Sequence, residues 1–399
     1  GTYCHLSAYE GLPMFQNFLD SRLAQEIVAR TMQIIDCNVN IMDSKGYIIG
    51  SGDPERIGEL HEGALLALSH GRMVEIDADL VKHLQGVKPG INLPMRIDGQ
   101  IVGIIGLTGE PSLLQQFGKL VCMTAEMMLE QSRLLSMLAQ DSRLREELVL
   151  NLIRSDSLSP DQMEWAQRLG IDLNLPRVAA VIEIDSGQLG VDTAISELQQ
   201  LQNLLNTPEK QNLVATVSLT EIVVLKPALN NAGRWDHARL KKQIDTLLSN
   251  MSMSGGLKLR IALGNYFSGD GSIARSYRTA CTTLQIGKLY YPEQRSYNYQ
   301  DLMLPVLLDS LRGSWQTSEL VRPLQKLKIM DSNGLLRRTL MAWFRHNVQP
   351  IATAKALYIH RNTLEYRLNR IAELTGLDIK DSFDDRLLLY IALQLDETA

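Results

Sequence analysis

The chain has 399 residues, of which 45% are hydrophobic and 21% are charged, and its net charge is −5. This composition is typical of a globular protein, and the length predicts two to four domains. The sequence contains no apolar run of about 18 residues, which argues against a membrane-spanning helix. Because the chain is acidic as a whole, a nucleic-acid-binding role would require a basic module within it, so charge is judged domain by domain.

Four cysteines, Cys4, Cys37, Cys122 and Cys281, are scattered along the chain without a C-x-x-C pair. This pattern predicts buried, reduced thiols in a cytoplasmic protein and argues against a disulfide framework or a zinc site. The seven histidines form no metal-spaced pair, so we expect neither a metal nor a cofactor. Residues 1–20 lack the cationic segment and apolar core of a signal peptide and are interpreted as an N-terminal extension, native or artefactual in origin.

Residues 21–110 are predicted to form a small α+β sensor domain of PAS-like or Cache-like type. A helix is expected from Leu23 to Asp36. Two β-hairpins follow, at Val39 to Ile49 and at Ile91 to Leu107. The second surrounds an Asp98-Gly99 turn, which is a strong short-range hairpin signal. The stretch between the two hairpins is expected to be helical and looped.

Residues 111–154 are predicted to form one long helix, because Pro111 suits a first helical position, where its missing N–H costs little. We interpret it as a signalling and dimerisation helix. The apolar pattern leaves two alternatives open: a coiled-coil seam shared with a second copy, or a helix packed on its own domain. The pattern consists of apolar pairs seven residues apart, at Leu120/Val121, Met127/Met128 and Leu134/Leu135, extended by Leu138.

Residues 155–300 are predicted to form a mixed α/β middle domain. The expected order of elements after a short helix at Asp161 to Leu169 is β-α-β-β-α-β-α. The strands are expected at Arg177 to Asp185, Leu213 to Leu219, Glu221 to Leu225 and Leu257 to Leu263, and the helices at Thr193 to Leu205, Trp235 to Met251 and Ser272 to Lys288.

Residues 301–399 are predicted to be entirely helical and to contain a helix-turn-helix. A short helix around Ala354 is followed by a turn at Tyr358-Ile359-His360 and by a second helix that begins at Arg361. The apolar residues Leu364, Leu368 and Ile371 fall on one face of the second helix, as expected of a stripe that packs on the preceding helix.

The opposite face of that second helix carries the chemistry of DNA recognition. Short polar side chains near its start can reach base edges, and flanking arginines can reach phosphates. From Leu335 to Ile371 there are seven Lys and Arg residues and one acid, Glu365, a local charge of +6. The alternative is an ordinary helical hairpin with a solvated basic face, and we favour double-stranded DNA binding. The predicted DNA-binding residues are His360, Arg361, Asn362, Thr363, Tyr366, Arg367 and Arg370.

The segment Leu357-Tyr358-Ile359-His360-Arg361-Asn362-Thr363-Leu364-Glu365-Tyr366-Arg367-Leu368 resembles the signature of the PucR-type helix-turn-helix, which is similar to the Fis-type motif. One departure is Tyr358, because many such turns have glycine there. The turn is therefore expected to be less tightly bent.

The layout from about Leu23 to Asp396 is similar to that of the carbohydrate diacid regulator family: a sensor, a degenerate GGDEF-like middle domain and a PucR-type C-terminus. The resemblance implies an activator of genes for uptake and breakdown of glucarate, galactarate and glycerate. It implies a sugar diacid or glycerate as effector. We also expect a homodimer, because a single helix-turn-helix rarely provides enough affinity, and RNA polymerase is a candidate partner.

Two polar, glycine-containing segments of the sensor are candidates for the effector site. A dicarboxylate needs cations, N–H donors and hydroxyl partners in a small enclosed site. Arg56 and Lys88 could each hold a carboxylate, His61 and Asn92 could bond carboxylate or hydroxyl oxygens, and Asp53 could accept from hydroxyls. The alternative is that these residues are solvated or cap helices, and we expect at least two of the five to line the pocket.

The other class of function considered is a nucleotide cyclase. Val178 to Asp185 resembles the first strand of GGDEF domains, with Asp185 near the metal-binding position. The hairpin that should carry the GGDEF signature reads Val217-Ser218-Leu219-Thr220-Glu221-Ile222-Val223-Val224 and lacks the glycines that let a nucleotide approach the backbone. One lone acid does not hold two metal ions. We therefore expect no catalysis and favour a scaffold or dimerisation role for this domain.

Overall fold

The computed structural model describes residues 19–85, 87–155, 157–185, 187, 190–207, 211–253 and 257–397. The chain divides into two units, before and after Ser142–Arg143. Each unit is described by itself. None of the helices in the described residues is long and apolar enough to cross a membrane.

The first unit is built on a five-stranded antiparallel sheet with the strand order β2-β1-β5-β4-β3. The expected helix and both expected hairpins are confirmed, and a short strand between the hairpins, β3, was missed. The elements are α1 (Ser21–Met32), β1 (Val39–Met42), β2 (Ile48–Ser51), α2 (Glu62–His70), β3 (Val74–Ile76), α3 (Ala78–Val81), β4 (Gly90–Ile97) and β5 (Gln100–Thr108), with a 3-10 turn at Pro54–Arg56.

Local side-chain chemistry explains the turns of this unit. The Asp43 carboxylate accepts hydrogen bonds from the N–H groups of Lys45 and Tyr47, at 2.9 and 3.0 Å, and this closes the first hairpin. In the second hairpin Asp98 and Gly99 both have positive φ, 48° and 79°, as a two-residue turn of type I′ requires. The strand β3 has only three residues, Val74–Ile76, which are too few to show the alternating apolar pattern of a strand. The sequence therefore did not predict it.

The two faces of this sheet differ in chemistry. One face packs on α1 through a wholly apolar cluster that includes Ile27, Ile41, Ile91 and Ile105. The other face has a smaller apolar cluster around Met42 and α2. The second face also carries buried polar side chains, which are described below.

The predicted long helix is confirmed as a single helix, α4 (Pro111–Arg154). Its residues Val121, Cys122, Ala125 and Leu129 are buried in the core of the first unit. The packed alternative is therefore correct for one face of the helix. Another face leaves apolar side chains exposed at heptad spacing: Leu113, Phe117, Leu120, Met127, Leu134 and Leu138. We call these six residues the α4 stripe.

The second unit begins within α4 and contains the middle domain, whose predicted order β-α-β-β-α-β-α is confirmed. Its sheet has the order β10-β9-β6-β8-β7, and the parallel strand β10 was missed because it has three residues. The elements are α5 (Pro160–Arg168), β6 (Arg177–Asp185), α6 (Val191–Leu205), β7 (Leu213–Ser218), β8 (Glu221–Pro227), α7 (His237–Met253), β9 (Lys258–Leu263), α8 (Ser272–Tyr290) and β10 (Ser296–Asn298).

The C-terminal region is helical from Met303 onward, after a 3-10 turn at Tyr299–Asp301, as predicted. The chain as a whole therefore has a mixed α+β content with an all-helical C-terminal region. The helices are α9 (Met303–Asp309), α10 (Trp315–Met330), α11 (Leu335–Arg345), α12 (Pro350–Ala356), α13 (Arg361–Thr375) and α14 (Phe383–Glu397).

Of the predicted buried thiols, only Cys122 is buried, while Cys37 and Cys281 are half-buried, and all three are free. Cys4 lies outside the described residues. The buried Cys122 has a thiol pKa raised to about 12, by burial and by the nearby Glu126 carboxylate. Such a thiol is protonated at neutral pH and is unreactive. Within the described residues there is no cluster of His, Cys, Asp or Glu that could hold a metal ion.

Candidate functional site

Helices α12 and α13 form the predicted helix-turn-helix. The predicted apolar stripe of α13, Leu364, Leu368 and Ile371, is buried. It packs in one cluster with Leu340 and Trp343 of α11 and with residues of α10 and α14. Burial of three large aliphatic side chains is worth several kcal/mol, at roughly 1.5–3 kcal/mol each, and it fixes which face of α13 looks outward.

The turn between the two helices is as tight as a glycine turn, so the expectation of a looser bend at Tyr358 was wrong. Tyr358 adopts the left-handed conformation with φ of 54°. The N–H of Ile359 donates to the carbonyl of Ala354 at 3.0 Å, as in a Schellman end to a helix. A tyrosine in this conformation costs about 1 kcal/mol relative to glycine, and its side chain is 96% exposed.

The start of α13 is held by a histidine cap. His360 lies at the N-cap position, and its Nδ1 accepts from the N–H of Asn362 at 3.1 Å. The predicted base-reading side chains Asn362, Thr363 and Tyr366 are all exposed on the outward face. Arg361, the first residue of α13, is exposed as well. The structure thus places these predicted DNA-binding residues on one accessible surface.

Two of the cations counted in the +6 segment are paired with acids of the same domain. Arg370 forms an ion pair with Glu373 at 3.0 Å, and Arg337 pairs with Asp331 at 3.3 Å. Burial would raise the pKa of Asp331, but N–H groups of Leu336 and Arg337 and the Arg337 guanidinium hold it below its ordinary value. Both acids lie just outside the counted segment, so the count overstated the unpaired charge.

Arg367 was predicted to contact phosphate, and in the structure its guanidinium is half-buried. Its Nη1 donates to Thr339 Oγ1 on α11 at 3.3 Å. The arginine therefore ties the reading helix to the helix behind it. A phosphate contact by Arg367 stays a prediction, whereas the exposed Arg361 has no such tie to α11.

In the sensor, three of the five predicted effector residues come together. Asn92 Nδ2 and His61 Cε1 lie 2.8 and 2.9 Å from the point that a Cβ on Gly63 would occupy. Arg56 is close enough to His61 to act on its charge. Asp53 and Lys88 are exposed outside this group. Because β4 begins at Gly90, Lys88 precedes the strand and does not share its buried face.

His61 is both a helix cap and a buried neutral side chain. Its Nδ1 accepts from the N–H of Ala64 at 3.0 Å, at the start of α2. Burial, with the Arg56 charge second, lowers the pKa of His61 to about 4. The imidazole is therefore neutral at pH 7 with its proton on Nε2, which is left as a hydrogen-bond donor.

Sequence reasoning missed Asn40, Ser51 and Gly106, which lie in one row across the sheet with Asn92. Asn40 pairs with Ser51 on one side and with Gly106 on the other, and Gly106 pairs with Asn92. Ser51 Oγ donates to Asn40 Oδ1 at 2.5 Å. The sequence contained a usable signal, since Asn40 is the polar residue of the otherwise apolar strand Val39–Met42. We call Ser51, Asn40, Gly106 and Asn92 the polar row.

In the middle domain, the place of the cyclase site holds two carboxylates that are bound by other side chains of the same domain. Glu183 on β6 lies opposite Glu221 on β8. Glu183 pairs with Lys288 at 2.7 Å and with Arg260 at 3.5 Å. Glu221 accepts from the Tyr277 hydroxyl at 2.8 Å. With its own cations and hydroxyl bound to these acids, this arrangement gives no support to nucleotide chemistry.

The predicted metal-binding position of that alternative, Asp185, is exposed at the end of β6. Its carboxylate accepts a hydrogen bond from the N–H of Gly187 at 2.8 Å.

The Tyr277 hydroxyl is the donor to Glu221. Burial, followed by the hydrogen bond to Glu221, raises the pKa of Tyr277 well above its ordinary value. The Tyr277 hydroxyl therefore stays protonated and acts as a fixed donor.

Comparison with known proteins assigns the family. The model described as putative sugar diacid recognition matches residues 19–152, a GGDEF-like domain model matches 154–286, and the PucR C-terminal helix-turn-helix domain model matches 336–395. A protein of Escherichia coli (strain K12) named carbohydrate diacid regulator is 70% identical, covering 95% of this chain and 98% of that protein. The chain belongs to the carbohydrate diacid regulator family.

Two further proteins are similar to this chain. An uncharacterized protein of Haemophilus influenzae is 36% identical, covering 95% of this chain and 99% of its own length. The solved structure of a regulator of polyketide synthase expression from Bifidobacterium adolescentis is 18% identical and covers 64% of this chain and 92% of its own; its TM-score of 0.28 is too low to carry an argument. As a carbohydrate diacid regulator, the chain is a DNA-binding transcription regulator, and the cyclase alternative is not favoured.

Proposed function

We propose that this regulator activates genes for uptake and breakdown of sugar diacids, such as glucarate and galactarate, and of glycerate. In this proposal a homodimer reads DNA through α13, and an acid of this class binds in the sensor. The observation that carries the proposal is the exposed Asn362, Thr363 and Tyr366 face, held outward by the buried stripe of α13. The relative named carbohydrate diacid regulator supports the effector class.

The reading face is tested by gel shift on DNA selected from a random library by the unaltered chain. Asn362→Ala is expected to weaken binding by about 10- to 100-fold on the selected sequence, since an amide bonded to a base edge is worth about 1–3 kcal/mol. Binding to unselected DNA should not change. The matched control is Gln316→Ala, because Gln316 is an exposed amide at the same second position of α10.

Phosphate contact by Arg361 has a different signature. Arg361→Ala is expected to weaken binding to all sequences about equally and to reduce the slope of log affinity against log salt concentration by about 1. If Asn362→Ala and Arg361→Ala both bind like the unaltered chain, the recognition face is misassigned.

The α4 stripe supports the dimer. Leu113, Leu120, Met127 and Leu134 recur every seven residues, and each is at least half exposed. A groove of about 440 Å³ beside them, lined by Ile34, Ile35 and Phe117 among others, extends the apolar surface. Apolar side chains at this spacing suit a second copy of the same helix, because a heptad seam is self-complementary.

Sedimentation of the full chain tests this seam. Leu120→Arg with Met127→Arg is expected to convert a dimer into a monomer, whereas Gln140→Arg, an exposed polar site on a different face of the same helix, should leave the mass unchanged. A monomeric unaltered chain, or a double variant that remains dimeric, would remove the α4 stripe from the proposal.

The sensor is proposed to be PAS-like or Cache-like. The strand order 2-1-5-4-3 of an antiparallel sheet, with helices α2 and α3 inserted between its two hairpins, supports a sensor of PAS-like or Cache-like type. Activation is tested by transcription in vitro with RNA polymerase on a promoter that contains the selected DNA. Glucarate, galactarate or glycerate is expected to raise transcript yield, and an acid-independent or repressed yield would contradict an effector-controlled activator.

A further inference from the structure

The outward face of α13, a helix described over its full length, carries carboxamides and no unpaired cation. Asn362, Thr363, Tyr366 and Asn369 are exposed on it, opposite the buried stripe. Because an α-helix has 3.6 residues per turn, Asn369 lies on nearly the same line as Asn362, about 10.5 Å further along the axis. The first two turns, which a recognition helix points at base edges, therefore present an amide, a hydroxyl with a methyl group, and a phenol.

The three arginines of α13 are placed away from the base-reading part of this face. Arg370, on the third turn, pairs with an acid of the same helix at 3.0 Å, and Arg367 donates to a hydroxyl of α11. Arg361 is exposed, but it lines a cavity of about 230 Å³ together with leucines of the buried stripe, so it lies toward the buried side of α13. Guanine is read in the major groove chiefly by bidentate arginine or lysine. The first two turns of the outward face lack such a side chain.

The Asn362 carboxamide is available to an external partner. An asparagine side chain near the start of a helix can bond to a neighbouring backbone N–H group instead. Here His360 binds the backbone, since its Nδ1 accepts from the N–H of Asn362 at 3.1 Å. The side-chain amide of Asn362 has no hydrogen-bond partner among the described residues. It therefore keeps a donor, Nδ2, and an acceptor, Oδ1, exposed at the second position of α13.

Adenine is the base whose edge matches this pair of groups. In the major groove adenine presents the acceptor N7 beside the donor N6–H, whereas guanine presents two acceptors, N7 and O6, and cytosine presents one donor. A carboxamide can bond to both adenine groups at once, because Nδ2 donates to N7 while Oδ1 accepts from N6–H. On guanine the Oδ1 acceptor would face the O6 acceptor. A bidentate carboxamide therefore discriminates in favour of an A·T pair.

We propose that Asn362 reads an adenine of the operator through adenine N6 and N7. This inference rests on the proposed DNA-reading role of α13 and adds the identity of the base. The adjacent Thr363 supplies a methyl group that suits the C5-methyl group of a thymine in a neighbouring pair. Exchange of the adenine for another base weakens binding by about 10- to 100-fold.

The test compares the sequences that the full unaltered chain and its Asn362→Ala variant select from the same random DNA library. One position in each half-site is expected to be adenine for the unaltered chain and to accept any base in the variant, while the other positions stay the same. Asn369→Ala, which removes the matched amide two turns further along, is expected to keep the adenine. If Asn362→Ala loses a preference for guanine or cytosine, or if only Asn369→Ala loses the adenine, the proposal is overturned.

A modified base tests the hydrogen bond itself. 7-Deazaadenine still pairs with thymine, but it has a C–H group in place of the N7 acceptor. At the assigned position it is expected to weaken binding of the unaltered chain by about fivefold, whereas Asn362→Ala binds the two DNAs equally. The same exchange at an adenine outside the selected site is the control and should have no effect. Equal binding of the two DNAs by the unaltered chain would contradict a contact with N7.

The two proposals fail in different ways. If the unaltered chain enriches no sequence, or if Asn362→Ala and Arg361→Ala both bind like it, the recognition face of the proposed function fails, and this inference fails with it. If Asn362→Ala weakens binding but retains every base preference, the face contacts DNA and only the adenine assignment fails. Loss of the adenine preference together with the effect of 7-deazaadenine supports both proposals.

Discussion

Polar residues in the two five-stranded sheets of this protein differ in how the fold satisfies them. In the middle domain, Glu183 and Glu221 are each bonded to a side chain of the same domain. In the sensor, Asn92 is more deeply buried than either acid, and its Oδ1 is left without a partner in the described residues. The fold itself therefore satisfies the two acids of the middle-domain sheet, whereas it leaves Asn92 Oδ1 of the sensor sheet unsatisfied.

Satisfied and unsatisfied buried polar groups affect the stability of a fold in different ways. A buried polar group that the fold itself satisfies contributes to stability and needs nothing else. A buried polar group that the fold leaves unsatisfied lowers stability, and stability is commonly sacrificed at functional sites. We therefore expect that replacing Asn92 stabilises the sensor, whereas replacing Glu183 or Tyr277 destabilises the middle domain.

The largest effect is expected from lowering the pH, which reduces the stability of the sensor through His61. Because the pKa of His61 is about 4 in the folded chain and near 6.5 when unfolded, lowering the pH protonates the unfolded state first and destabilises the fold. Between pH 6.5 and 5 the free energy of unfolding is expected to fall by about 2 kcal/mol. Hydrogen exchange of β4 and β5 peptides, corrected for intrinsic rates, measures it. His61→Asn keeps a helix cap that does not titrate, and an unchanged slope there would contradict the assignment.

Asn92→Leu is expected to stabilise the sensor by about 1–2 kcal/mol, because it removes an unmatched buried acceptor and keeps a side chain of similar shape. The same hydrogen-exchange peptides report the change. Thr31→Val is the control, because the buried hydroxyl of Thr31 is already hydrogen-bonded within its own helix in the folded chain. Destabilisation by Asn92→Leu would indicate that a bound water or another group already satisfies the carboxamide.

Glu183→Leu is expected to destabilise the middle domain by about 1 kcal/mol, because it leaves Arg260 and Lys288 without their shared acid in a partly exposed site. Tryptophan fluorescence during urea unfolding measures it, since all four tryptophans, at 165, 235, 315 and 343, lie in the second unit. Glu164→Leu, at the exposed pair with Arg168, should change stability by less than about 0.5 kcal/mol. If Glu183→Leu stabilises the middle domain, the expected difference between the two sheets is wrong.

The smallest effect is expected from Tyr277→Phe, which removes the hydroxyl that donates to Glu221 at 2.8 Å. The half-buried carboxylate can recover water, so the loss should be about 0.5–1 kcal/mol in the same urea experiment. No loss at all would show that the Glu221 carboxylate is solvated in the native state and not satisfied by the domain.

Periodic elements could be predicted because their signals are local. The length of α4, the order of elements in the middle domain and the buried stripe Leu364, Leu368 and Ile371 all follow from apolar spacing within one segment. The strands β3 and β10 were missed because three residues show no period. The bend at Tyr358 was misjudged because the packed helices on both sides impose the left-handed conformation that the tyrosine itself disfavours.

The recognition face and the polar row mark the limit between local and tertiary information. Asn362, Thr363 and Tyr366 share a face because a helix repeats every 3.6 residues, so the residues and their spacing were sufficient to assemble them. Ser51, Asn40, Gly106 and Asn92 come from four strands, and only the register of β1 against β5 and of β5 against β4 puts them in one row. Because a shift of one residue would turn every side chain to the other face, the tertiary structure alone decided which residues form this row.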